Sequence, residues 1–96
     1  MRPHIAIDFT GDGTAHLLSD ILGINQCRWF KVYGVAIAST AARVGDSSAA
    51  TSHGAPVTTT IPFETPTNSM LNELYDLTGW YVNAVTSDKI AVIAAA

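Results

Sequence analysis

Asp46, Ser47 and His53 lie close together in one polar stretch, which runs from Arg43-Val44-Gly45-Asp46-Ser47 to Ser52-His53-Gly54-Ala55-Pro56-Val57. They supply the acid, hydroxyl and imidazole types of a hydrolase triad. A working triad also needs a base that reaches the hydroxyl and donors for the oxyanion, and the sequence offers neither a strand-to-helix elbow nor an oxyanion loop. Asp46 and Ser47 are expected instead to bond neighbouring backbone N–H groups in a turn. In this reading the stretch is a rigid corner: Gly45 and Gly54 permit the bends, Pro56 restarts a strand, and Arg43 pairs with Asp46 within the corner or across a subunit boundary. No enzymatic activity is expected.

Asp8, Thr10 and Asp12 alternate ahead of Gly13 as the first ligands of a calcium loop do, but the position that requires a bidentate Glu holds Ser19. A glycine turn is the expected structure. His4, His16 and His53 fall on a strand, a helix and a loop without metal-ligand spacing, and the single Cys27 excludes both an intrachain disulfide and a cysteine-rich metal site. We expect no metal and no cofactor. Trp29, Tyr33, Tyr75, Trp80 and Tyr81 have the ring types that stack on sugars, and the same residues anchor β cores and interfaces.

The chain has 96 residues, enough for one small domain spanning 1–96, with residues 1–13 as an N-terminal strand or arm that contacts a neighbour. Of these residues 48% are hydrophobic and only 14% charged, more apolar side chain than so small a core hides, so association with a partner is expected. A net charge of −3 and scattered basic residues argue against nucleic-acid binding. No run approaches the roughly 18 apolar residues of a membrane span, and no signal-peptide pattern opens the chain. The reading is a soluble protein made in the cytoplasm.

The elements that must position these residues are mostly strands. Ile5, Ile7 and Phe9 share one face of a strand that ends at Thr10-Gly11-Asp12-Gly13. Thr14 is placed to cap a short helix whose Leu17, Leu18, Ile21 and Leu22 form one face and whose end is Gly23. Gln26 to Ala38 predicts a long strand apolar on both faces, with Gly34 as a bulge or close-approach point. Ala41–Gly45 and Pro56–Glu64 predict two more strands, the second an edge strand or bulged because of Pro62. Thr65 to Asn72 reads as a loop with a helical turn begun at Asn68. Trp80–Val85 and Lys89–Ala94, joined by Thr86-Ser87-Asp88, predict a closing hairpin. The fold expected is all-β, a small β-sandwich or jelly-roll-like barrel with one short helix near the N-terminus.

Arg28-Trp29 through Arg43-Val44-Gly45-Asp46-Ser47, Ser52 to Val57, Tyr75-Asp76-Leu77, Tyr81-Val82 and Asp88-Lys89-Ile90 together resemble a group of short virion structural proteins of tailed bacteriophages. The resemblance takes in most of the chain outside the N-terminal strand and the Thr65 to Leu74 loop. It implies a capsid decoration protein that sits on the major capsid protein lattice of the virion as a homotrimer, stabilising the shell. The interface residues suggested are Trp29, Phe30, Ile90, Val92, Ile93 and Ala94. A carbohydrate- or host-surface-binding module of a tail or fibre is the alternative.

Overall fold

The computed structural model of the chain describes residues 4–38, 41–49, 53–65 and 74–95. Its elements run β1 (His4–Thr10), β2 (Ala15–Leu17), α1 (Leu18–Leu22), β3 (Gln26–Cys27), β4 (Trp29–Ala36), β5 (Ala42–Gly45), β6 (Ala55–Val57), β7 (Phe63–Glu64), β8 (Tyr75–Asp76), a 3-10 turn (Leu77–Gly79), β9 (Tyr81–Asn83) and β10 (Lys89–Ala95). One antiparallel sheet has the order β1-β10-β4-β7 and a second the order β2-β9-β5-β6, while β3 and β8 form a two-stranded ribbon.

The inward residues of the two sheets share one core. Phe30 and Val32 of β4 and Ile90, Val92 and Ala94 of β10 come from the first sheet. Ala42, Val44, Val57 and Val82 come from the second, and Leu18, Leu22, Cys27 and Leu77 join the same cluster. The chain is therefore all-β with little helix, and its two sheets form a small β-sandwich. Fully burying a side chain such as Val92 or Ile90 removes enough apolar surface to contribute about 1.5–3 kcal/mol each.

Alternation in β4 follows from the sequence: Phe30 and Val32 are buried, while Trp29, Lys31 and Tyr33 between them are half-buried on the outer face. The long strand predicted over Gln26 to Ala38 is nevertheless interrupted at Arg28, whose N–H bonds to the Ala95 carbonyl. That break explains why Cys27, which shares Trp29's parity, is buried. Gly34 stands at the bulge expected of it. The register against β10 shifts between Lys89 and Ile90, and a Cβ on Gly34 would lie 2.7 Å from the Thr58 carbonyl carbon.

Three predicted elements are corrected. The helix begins at Leu18 and not after Thr14, because the backbone of Ala15–Leu17 pairs with β9 and the Thr14 hydroxyl donates to Asp12. Its end is as predicted: Gly23 takes φ +75° and its N–H bonds to the Ser19 carbonyl. Pro56–Glu64 is not one strand. Thr58 accepts the N–H groups of Thr60 and Ile61 on its hydroxyl and bonds its own N–H to the Ile61 carbonyl. This turn carries the chain from β6 in the second sheet to β7 in the first. Trp80–Val85 and Lys89–Ala94 do not form a hairpin either, since β9 and β10 belong to different sheets. The helical turn expected from Asn68 lies outside the described residues.

The connection from β9 to β10 is held by Asp88, only 2% exposed, whose carboxylate accepts the Ala38 N–H at 2.9 Å. Ser87 takes a positive φ of 75° just before it. A residue that reads as part of a turn thus fastens the chain just past β4 to the start of β10.

Candidate functional site

The corner over 43–57 brings two of its three candidate catalytic residues together. His53 Nε2 lies 3.2 Å from Asp46 Oδ1, and both side chains are well exposed. The same carboxylate oxygen accepts the Ser48 N–H at 2.8 Å, the Asx turn predicted from sequence, and the Ala49 N–H bonds to the Asp46 carbonyl. That backbone N–H of Ser48 is the main reason the Asp46 carboxyl is held below its ordinary pKa. Among the described residues no hydrogen bond joins Ser47 to His53, so the geometry is a braced turn with an imidazole at its rim. Within the chain Arg43 does not pair with Asp46; its Nη1 donates to the Gly54 carbonyl at 3.0 Å. Gly54 has φ +115°, and a Cβ there would meet the Val44 carbonyl oxygen at 2.9 Å, so glycine is required for this close crossing. Gly45 ends β5, and Pro56 sits within β6, an edge strand of its sheet, where the missing N–H costs little.

A second polar cluster stands at the turn between β1 and β2. Asp12 accepts the Thr14 hydroxyl at 2.8 Å and the Thr14 N–H at 3.0 Å, and His16 Nε2 lies 2.9 Å from both of its carboxylate oxygens. The His16 ring also meets Phe9 edge-on with centroids 5.1 Å apart. The Thr14 hydroxyl bond first, and His16 second, lower the Asp12 pKa to about 2. Sign follows directly: with the folded value depressed, the favourable contribution is complete above the usual carboxylate range and disappears as pH falls toward 2. We expect a carboxyl NMR titration to place the Asp12 midpoint near 2 and Thr14→Ala to move it upward; an unshifted midpoint in the parent protein would show that this cluster does not form.

Among the described residues no group of three or more His, Cys, Asp and Glu side chains could hold a metal ion. His16 and His53 each face a single carboxylate. Burial raises the pKa of the Cys27 thiol, which favours the protonated form.

The aromatic residues do not form one platform. Phe30 packs against Phe63, Tyr75 and Trp80 with centroids 5.9, 5.9 and 5.3 Å away, so Tyr75 and Trp80 belong to the edge of the core. Trp29 and Tyr33 point the other way, onto the outer face of the first sheet. There Tyr33 lies opposite Ala91, Lys31 opposite Ile93 and Trp29 opposite Ala95. Trp29 Nε1 donates to Glu64 Oε2 at 3.0 Å, and Lys31 Nζ stands 5.9 Å from the Tyr33 ring centroid. Lys31, Tyr33 and Ile93 with Thr58, Thr59, Thr60 and Pro62 line an open groove of about 400 Å³. Val35 at the bulge and Ile61 beyond the groove are 51% and 55% exposed.

Of the six residues suggested as an interface, four are corrected by burial. Phe30, Ile90, Val92 and Ala94 are fully enclosed in the chain's own core and offer no surface to a neighbour. Trp29 and Ile93 remain on the outer face. Sequence reading missed the groove itself, because its lining comes from β4, from β10 and from the Thr58 turn. The available signal was the parity of Lys31 and Tyr33 with Trp29. Comparison of the chain with protein-family models, curated proteins and solved structures finds no match in any of the three.

Proposed function

We propose that the protein is a structural component of a phage virion, a head decoration protein that docks on the major capsid protein lattice and stabilises the assembled shell. The observation that carries this reading is the outer face of the first sheet, where Trp29, Tyr33 and Ile93 lie side by side on paired strands around the sparse charges of Lys31 and Glu64. A rigid face with aromatic anchors and few charges suits protein docking. The resemblance of the 28–57 and 75–90 segments to short virion proteins supplies the partner. Docking on the shell but not on its separated subunits stabilises the shell by linkage, and many copies make modest contacts sufficient. A homotrimer placed at three-fold positions is the assembly we propose for it.

The groove favours a second reading, a carbohydrate- or host-surface-binding module of a tail or fibre, since Tyr33 offers a ring beside the Thr59 and Thr60 hydroxyls. One pair of measurements separates the two. Adding the protein to shells that lack it raises their dissociation temperature, and Trp29→Ala reduces that binding about tenfold, the loss of an anchor worth more than 1 kcal/mol. Unchanged shell stability at saturating protein, with glycan binding that Tyr33→Ala removes, would replace decoration by the second reading.

A further inference from the structure

Among the described residues the first sheet has one long edge without a partner strand, β1, and the backbone fixes which of its groups face outward. Gly11 continues the β1 register, donating its N–H to the Asp88 carbonyl and accepting the Ser87 N–H. Main-chain groups alternate in direction along an antiparallel strand. Ile7 and Phe9 therefore bond toward β10, while the N–H and C=O of His4, Ala6, Asp8 and Thr10 point away from the sheet. None of the backbone bonds described outside the ladders uses these outward groups.

Edge strands usually carry a device that prevents further pairing, such as a proline, a lysine, a bulge or extreme shortness. The other edges have one: β7 has two residues and follows Pro62, β6 contains Pro56, and β2 has three residues and runs into α1. β1 has seven residues in unbroken register, with no proline, lysine or bulge. Ala6, Asp8 and Thr10 are exposed, and Ile7 is 36% exposed although it points to the core side.

We infer that β1 pairs antiparallel with β1 of a second copy about a two-fold axis through Ile7. In this register Ala6 faces Asp8 of the other copy and Thr10 faces His4, so every outward N–H and C=O finds a partner. The residues that make those bonds in each strand are the ones without a backbone partner among the described residues, whereas a shift of one residue would align inward groups with outward ones. A shift of two residues toward the C-terminus would set Asp8 against Asp8, an unfavourable like-charge pair. The proposed register places Asp8 opposite a methyl group and brings the two Ile7 side chains together at a non-hydrogen-bonded position, where cross-strand side chains approach most closely. The core side of the two sheets then continues from one copy into the next. This contact does not depend on decoration: it joins isolated copies or copies in neighbouring trimers alike.

The test is disulfide trapping in the full chain, with Val35→Cys as the exposed control and the buried native Cys27 silent in both. Mild oxidation should convert Ile7→Cys to a covalent dimer about tenfold faster than Val35→Cys, because paired strands hold the two thiols at a high effective concentration. Adding Ala6→Pro to Ile7→Cys removes an outward N–H that no described residue accepts, and should slow trapping to the control rate with the circular dichroism of the fold retained. Equal rates for Ile7→Cys and Val35→Cys overturn the inference, as does undiminished trapping in a folded Ala6→Pro variant. Loss of capsid binding with trapping intact would count against decoration alone.

Discussion

Phe30→Ala is expected to lower the unfolding free energy by about 3–5 kcal/mol, the usual range for removing a buried phenylalanine. Phe30 has no exposed surface and contacts three other rings, Phe63, Tyr75 and Trp80, so truncation removes the centre of the aromatic cluster. The gap cannot close easily, because the backbone on either side is fixed. Phe30 donates its N–H to the Thr65 hydroxyl, and its carbonyl accepts both the N–H and the hydroxyl of Thr65. For a domain of this size a loss of that order lowers the melting temperature by roughly 20 °C. Chemical denaturation of the parent and variant measures the difference. A loss below about 1 kcal/mol would mean that Phe30 does not occupy the core.

The second large effect is expected at Gly11, where the substitution adds one methyl group. Gly11 is buried, and a Cβ on it would sit 2.5 Å from the carbonyl oxygens of both Ala84 and Val85. Both obstacles are main chain, held by the turn in which the Asp88 N–H bonds to the Val85 carbonyl. A flexible side chain could move aside, but these carbonyls cannot move without opening the junction between β1 and β10. Gly11→Ala should therefore destabilise at or above the roughly 1–3 kcal/mol usual for overpacking. Gly79→Ala is the matched control, since nothing lies within 4 Å of a Cβ there. Thermal melts of the two variants should differ clearly; equal melting temperatures would show that the carbonyls of Ala84 and Val85 do not crowd Gly11.

Local features were legible in the sequence because they depend on neighbours along the chain. The alternation of Phe30 and Val32 with Trp29, Lys31 and Tyr33, the bulge at Gly34, the left-handed end at Gly23 and the Asx turn at Asp46 all follow from residue type and parity. Which sheet a strand joins is a different kind of information. Period-two patterning tells which residues share a face but not which strand lies alongside. Val57 and Phe63 have the parity of one continuous strand, yet the Thr58 hydroxyl closes a turn between them and sends them to opposite sheets. The same limitation produced the hairpin of Trp80–Val85 with Lys89–Ala94, whose turn at Ser87 was legible while its destination was not. It also placed Ile90, Val92 and Ala94 at an interface. A strand apolar on both faces does face two environments, but the one opposite those residues is the second sheet. Of the candidate site, the pairing of His53 with Asp46 could be anticipated from proximity. The groove beside Tyr33 could not, since it exists only once the Thr58 turn is laid against β4.

The position of β10 has a consequence for how the molecule comes into being. β1 and β4 never pair with each other; each is paired to β10, which follows every other strand in the chain. The first sheet therefore has no half-built form with the native pairing of β1. Its opening strand waits for a partner almost a full chain length away, and such distant closures are slow because the chain entropy of the loop is lost before the contact forms. Until β10 arrives, both edges it will occupy are open on a chain rich in apolar residues, and this is the interval in which misassociation competes with folding.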